Sequence, residues 1–472
     1  MRRSQRRQPS RLSAWDKRYL WHPFTQQAEW ESRDPIVIES ARGVWLRDSR
    51  GRQLLDGNAS LWVNVWGHHH PVLNRALARQ LAKVAHSTFL GLTHEPAIRL
   101  ARRLVQIAPQ GLTRVFYSDN GSTAVEVALK MAYQYWQLKG ETRRTRFVSM
   151  ADGYHGDTIG SVSVGGVALF HERFKRLLFD GYQATPPPAS SLAGGQIGRT
   201  DASRKLELLR SSARHDSMDR LLERHHREIA AVVMEPLIQG ASGMLLMPKG
   251  YLAHAARLCR RYGLLLIVDE VATGFGRTGT LFACQQEGVS PDFLCVAKSL
   301  TAGYLPLAAT LATEKIFRTF LGRYDEFRTF FHGHTYTANP LACAVAIANL
   351  DLIRRNRLLD RVRRRARQLA DGLAPMRAHD HVREVRQLGL MCGIELVRDK
   401  SSGRPYPPGR RMGLRVCDEA IRRGVWLRPL GDVIVLMPPL AIAEAEMQFL
   451  VNVVHAAIEA GTSDIAKKYR SP

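Results

Sequence analysis

Leu264 to Val268 are five apolar residues in a row, bounded by Gly263 on one side and by the carboxylates Asp269 and Glu270 on the other. An unbroken apolar run of this length predicts a strand buried on both faces of a parallel sheet, since a half-exposed strand would alternate. Arg114 to Ser118, Arg146 to Met150, Ile229 to Met234 and Phe293 to Ala297 read as further short strands. Between them apolar positions recur at helical spacing: a helix opened by Pro71, then Pro96 to Ile107, Ala124 to Trp136, Ser217 to Glu228 and a long helix from about Ala338. Strands alternating with helices predict an α/β fold built on a mostly parallel sheet. Residues 36 to 57 behave differently, alternating about the turn Asp48-Ser49-Arg50-Gly51, and predict an antiparallel hairpin. Residues 181 to 217, rich in Pro, Gly and Ser, read as an exposed excursion.

Composition narrows the class without naming an activity. With 472 residues, 45% hydrophobic and 24% charged, the chain can bury a large globular core. No apolar run approaches the roughly 18 residues a bilayer demands, so no membrane span is predicted. The six cysteines (259, 284, 295, 343, 392 and 417) show no C-x-x-C spacing and read as reduced core residues of a cytoplasmic protein. The net charge of +25 is spread over helical stretches such as Arg354 to Arg367. Solvated helix faces explain it better than a nucleic-acid footprint, which would cluster on one face or arm. The first eighteen residues are Arg-rich with no apolar centre, which excludes a secretory signal. A frayed basic extension is expected there, ahead of a mitochondrial transit peptide.

The chemistry concentrates at strand ends. Asp269 and Glu270 fall at the carboxyl end of a buried strand, where open α/β sheets bind ligands, and the strand from Phe293 delivers Lys298 to the same edge. Taken singly, each is an end cap or a solvated cation. Together they suit a pyridoxal phosphate site: a desolvated lysine can lose its proton and form a Schiff base, and an acid opposite can keep a pyridine nitrogen protonated. Gly121 and Ser122 stand at a helix start, where free N–H groups and the helix dipole attract a phosphate. Gly274, Gly276 and Gly279 also spell a dinucleotide-like G-x-G-x-x-G, but acids precede it and no long helix follows. That leaves a dehydrogenase as the weak alternative. Neighbouring His68, His69 and His70 lack the spacing to converge on a metal.

The run DEVATGFGRTG followed by KSLTAG resembles the signature of the class III (omega-amino) aminotransferases, which are fold-type I pyridoxal phosphate enzymes. WHPFTQ, SDNGSTAVEVALKMAYQYW, DGYHGDT, FFHGHTYTANPLACA and WLRPLGDVIVLMPPL extend the likeness from about Trp21 to Pro439, toward the branch that works in biotin synthesis. The resemblance implies a homodimer of small-molecule enzyme type, with no nucleic-acid or membrane partner. It divides the chain into an extension, arm and hairpin (1–65), a large cofactor-binding domain (66–335) and a small α/β domain (336–472). It implies catalytic roles for Lys298, Asp269 and Tyr154, the last stacking on the cofactor ring. Asn120, Gly121, Ser122, His334 and Thr335 would complete the cofactor site, with Thr335 coming from the neighbouring subunit. Phe24, Leu61, Trp62, Tyr154, Asp157, Gly333 and Arg428 would meet the substrates, and Glu235 would pair with a basic group near the cofactor. Arg428 follows an apolar strand, and a substrate carboxylate would satisfy its guanidinium.

The implied acceptor is 8-amino-7-oxononanoate and the implied donor S-adenosylmethionine. Phe24, Leu61, His334 and Val435 depart from the residues usual in that branch (tyrosine, tryptophan, proline and tyrosine) and bring the chain nearer to a minority that uses lysine as donor. Other omega-aminotransferases, acting on ornithine, 4-aminobutyrate or β-alanine, are the remaining alternatives.

Overall fold

The computed structural model describes residues 11–186, 215–216 and 218–468. Most of the expected excursion, and the first ten residues of the basic extension, lie outside these. The apolar run becomes the strand Leu265–Asp269, buried at every position. It pairs in parallel with Ile229–Met234 on one side and Phe293–Val296 on the other. The eight-stranded sheet then runs, in space, Leu112–Ser118, Ala308–Thr313, Phe293–Val296, Leu265–Asp269, Ile229–Met234, Arg146–Met150, Tyr182–Ala184, His215–Asp216. Ala308–Thr313 is antiparallel to both neighbours, and the sequence reading passed over it because its Ala/Thr pattern lacks a strong apolar signal.

Both faces of the sheet are covered, which is why its central strands carry no polar alternation. The helix Gly121–Leu138 lays Ala124, Ala128 and Ala132 on Ala231, Val233, Ile267 and Phe293. Small residues on that helix let it approach the sheet closely. Tyr251–Tyr262 and Pro340–Arg355 belong to the larger apolar cluster. Each fully buried Val, Leu, Ile or Met side chain contributes roughly 1.5–3 kcal/mol, so the middle of the sheet is a rigid support for its carboxyl edge.

The expected hairpin is a three-stranded meander, Ile38–Arg42, Trp45–Asp48 and Gln53–Asp56, because Gly43 at φ +57° supplies a second reversal. Its last strand pairs in parallel with Val425–Trp426, far along the chain. A second antiparallel sheet joins Val382–Leu388, Met391–Leu396, Val433–Leu436 and Arg428–Leu430. Arg428 follows the short strand Val425–Trp426, as expected, and itself opens the next strand, where it faces Val435. The extension also differs from expectation: Arg11–Tyr19 is helical, with Asp16 accepting from the Trp30 indole at 2.8 Å and Lys17 bonded to the Glu31 carbonyl. No described helix is long and apolar enough to cross a membrane.

Candidate cofactor and active site

Seven of the eight strands of the large sheet point the same way, among them those ending at Ser118, Met150, Met234, Asp269 and Val296. The residues at and after these named ends meet at one edge, around a cavity of about 770 Å³. Asn120, Gly121, Ser122, Tyr154, Asp157, Asp269 and Lys298 all border it, so the strand-end reasoning holds for each. Leu61 and Trp62 close another wall from a left-handed turn, Ala59 to Trp62, in which all four residues have φ between 46° and 72°. Such a conformation costs L-residues roughly 1–2 kcal/mol each and persists only when its surroundings hold it.

Charge in the cavity is arranged around buried Asp269. Its Oδ1 accepts the Val271 N–H at 3.0 Å, and its Oδ2 takes Nδ1 of His155 at 2.8 Å. Burial opposes a charge on His155, but the bond to Asp269 offsets it and the pKa is raised. His155 is a site residue the sequence reading missed; its signal was a histidine beside Tyr154 in the loop after a strand. Burial also pushes Glu235 up, to about 7. The basic partner expected for Glu235 is not within hydrogen-bond reach among the described residues; its oxygens accept the N–H groups of Tyr154 (3.1 Å) and Gly240 (3.0 Å). Glu235 is thus a clamp on the loop that carries Tyr154, whose hydroxyl is held by Asp157 at 2.9 Å. The Lys298 amine is pushed down by burial, against the pull of Asp269 and Glu235. A lysine in that state is suited to lose its proton near neutrality.

The opposite end of the cavity is built for an anion. The helix Gly121–Leu138 begins three residues before the sequence reading placed it, so the predicted cradle is its own first turn. Asn120 is the N-cap: its side chain accepts from Thr123 N, while Thr123 Oγ1 accepts from Asn120 N. That reciprocal cap uses the Asn120 side chain, leaving the N–H groups of Gly121 and Ser122 without an intrahelical acceptor. Ser122 Oγ accepts Thr158 N at 3.0 Å and lies 2.9 Å from Thr158 Oγ1, which fixes the hydroxyl at the mouth of the cradle. Two glycines make the space. A Cβ on Gly121 would lie 2.5 Å from Val271, and one on Gly156, at φ +113°, would lie 2.3 Å from Ser122. Gly156→Ala is expected to cost about 1–3 kcal/mol of stability, seen as a lower denaturant midpoint at unchanged slope. An N–H cradle, a buried acid and a depressed lysine around one cavity fit a phosphorylated pyridine aldehyde.

Other predicted residues lie outside this lining. Phe24 is exposed and packs edge-on to Phe170 at 5.4 Å; Phe170 in turn meets Tyr154 at 6.1 Å. Arg428 is half-buried, interacts electrostatically with the Tyr154 phenol, and makes no ion pair among the described residues. Val435, expected among the pocket residues, is instead packed in the apolar cluster containing Trp62, Met391 and Met437. Gly333, His334 and Thr335 do not border the cavity of their own chain. His334 belongs to a hydrogen-bonded row that ends on a residue of the cavity wall: Lys130 Nζ to His332 Nδ1, His332 Nε2 to His334 Nε2, and His334 Nδ1 to Asp119. The G-x-G-x-x-G loop is a packing element, with Phe275 and Arg277 fully buried and Gly276 against Leu359. No long helix follows it, only the short turn Ala283–Glu287, which removes the dinucleotide reading.

Comparison with known proteins agrees with this chemistry. The class-III aminotransferase family model matches residues 26–458. A curated relative from Nitratidesulfovibrio vulgaris, named adenosylmethionine-8-amino-7-oxononanoate aminotransferase, is 52% identical, covering 96% of this chain and 82% of its own. The crystal structure of the Methanocaldococcus jannaschii protein of that name superposes with a TM-score of 0.88 at 42% identity, over 95% of this chain and 98% of that one. An amine transaminase from an uncultivated Pseudomonas species, solved in its PLP-bound form, gives 0.84 at 35% identity, over 94% and 98%. The chain belongs to the class-III aminotransferase family and is a pyridoxal-phosphate-dependent aminotransferase.

Proposed function

We propose that this enzyme moves an amino group from S-adenosylmethionine to 8-amino-7-oxononanoate, forming 7,8-diaminononanoate for biotin synthesis. The likeness that carries the reading is 52% identity across 96% of the chain to a relative whose name states both substrates. Bound at this site, pyridoxal phosphate supplies a ring that draws off the electron pair left when a substrate carbon loses its proton. Asp269 would favour a proton on the ring nitrogen, with its carboxylate held in place by the bond to His155. Tyr154 would cover one face of the ring, while Gly121 and Ser122 would hold the phosphate. Lys298 Nζ takes the proton from the donor carbon and returns one later, and the acceptor reverses the sequence. Donor and acceptor thus use one site in turn.

Arg428 gives the acceptor its anchor. A half-buried guanidinium without an acid partner is costly, and the carboxylate of a nonanoate would satisfy it. Arg428→Ala is expected to raise the acceptor KM by roughly 10- to 150-fold, as loss of about 1.5–3 kcal/mol implies, with a smaller change for the donor. An unchanged acceptor KM would move the anchor elsewhere.

For the donor, the four departures from the usual residues converge less than the sequence suggested. Leu61 borders the cavity, whereas Val435 sits in the apolar cluster and His334 bonds Asp119. S-adenosylmethionine is therefore the donor of this reading. Mixing the loaded protein with each donor tests it: S-adenosylmethionine should bleach the visible band, and 8-amino-7-oxononanoate should restore it. Bleaching by lysine alone would overturn the donor, and failure of the acceptor to restore the band would overturn the acceptor.

The same reading makes the protein a cytoplasmic homodimer, in which Gly333, His334 and Thr335 of one copy complete the site of the other. Exposed Phe331 and Tyr336 beside those residues support a covered surface there, and the six unpaired buried cysteines support a reducing compartment. The proposed units are 1–65, 66–335 and 336–472. The pairing of Gln53–Asp56 with Val425–Trp426 and the bidentate Arg33–Asp418 bridge support packing of the first unit on the third.

A further inference from the structure

Lys298 has an unusual neighbour for a lysine that must carry a proton. Its Nζ makes no ion pair and no hydrogen bond among the described residues; its contact is the Trp62 ring, with the nitrogen 5.4 Å from the ring centroid. The acids around it are already engaged. Asp269 is taken by His155 and Val271, and Glu235 by two backbone N–H groups. The remaining charge that acts on it is the buried Arg277 guanidinium, which repels it. A half-buried ammonium without an acid partner is costly, and an aromatic face is the partner present here.

The ring is held from both sides. Gly240 leaves room for it, since a Cβ there would stand 3.1 Å from the indole. Below it, the left-handed turn Ala59 to Trp62 is tied to Asp56, which is fully buried and accepts Ser60 N at 2.9 Å and Ser60 Oγ at 2.7 Å. Nε2 of His68 lies 3.1 Å from the same carboxylate. Without these bonds a run of four left-handed non-glycine residues would relax, and the ring with it.

We propose that the Trp62 indole is the seat of the Lys298 ammonium whenever the lysine is free of the cofactor, and that Asp56 is the positioning residue that keeps the indole there. As the substrate C–H bond breaks, Nζ takes the proton and becomes a cation; as the new C–H bond forms, Nζ gives a proton back and is neutral again. A carboxylate against Nζ would hold that proton too firmly. An aromatic face stabilises the cation without being able to accept the proton. The proposal rests on Lys298 as the reacting lysine, which labelling of the cofactor-bearing lysine tests separately.

The experiment uses full-length protein containing 5-fluorotryptophan, with the cofactor in its amine form so that Lys298 is free. The Trp62 fluorine resonance, identified by its loss in Trp62→Phe, is expected to move with pH along a one-proton curve. That response should vanish in Lys298→Met and shrink in Asp56→Asn. Trp62→Leu should lower the Lys298 midpoint, read from the pH dependence of its reaction with a small amine reagent. The expected shift is roughly half to one and a half units, which at about 1.36 kcal/mol per unit is a cation–π contact of about 0.7–2 kcal/mol. Trp62→Phe, which keeps a ring, should restore most of it. A Trp62 resonance indifferent to pH, or one whose response survives Lys298→Met, overturns the seat. A full response in Asp56→Asn overturns the role of Asp56.

Discussion

Lys298→Ala is expected to reduce amino transfer by at least about 10⁴-fold, because one side chain supplies both the covalent anchor of the cofactor and the proton carrier. The loss should appear in kcat with either substrate, since both half-reactions need the same nitrogen. Cofactor content should fall much less, because the cradle at Gly121 and Ser122 and the acid at Asp269 are built by other strands. The visible band of the lysine-bound cofactor should be missing while pyridoxal phosphate still co-purifies. Residual turnover within tenfold of the unmutated enzyme would require a second lysine to do the chemistry.

Asp269→Asn is the second large effect, about 10²- to 10⁴-fold in kcat. Asparagine is nearly isosteric; its Oδ1 can still accept the Val271 N–H while its NH2 donates to Nδ1 of a neutral His155, so the fold and the cavity should survive. What disappears is the negative charge that keeps a proton on the ring nitrogen. The raised pKa of His155 should fall with it, since the Asp269 carboxylate is what offsets burial of that imidazole. His155 should then titrate at lower pH in the variant, measurable by NMR of the ring. Full activity in Asp269→Asn would assign ring protonation to another group.

Much of this site was legible because its residues sit at the ends of strands whose burial leaves an unmistakable apolar signature. Ile229–Met234 and Leu265–Asp269 are buried on both faces, so the charged residues that end them mark the sheet edge. The features that escaped depend on contacts between distant segments. Nothing in the spacing of His155 and Asp269, 114 residues apart, announces their bond. The left-handed turn from Ala59 contains no glycine, and the Asp56 carboxylate that bonds Ser60 helps it persist. The burial of Arg277 has no signal in the sequence, because its guanidinium donates to the Pro438 carbonyl of a much later segment. Val435 was misplaced for the same reason, because its neighbours Trp62 and Met391 come from two other parts of the chain.

The central claim is that one lysine, at the end of the strand Phe293–Val296, carries the cofactor and the chemistry. Borohydride reduction of the purified, cofactor-loaded protein, followed by peptide mapping, tests it most directly. The account predicts a single pyridoxyl-labelled peptide, with the label on Lys298. A label on any other lysine, at comparable occupancy, would contradict it.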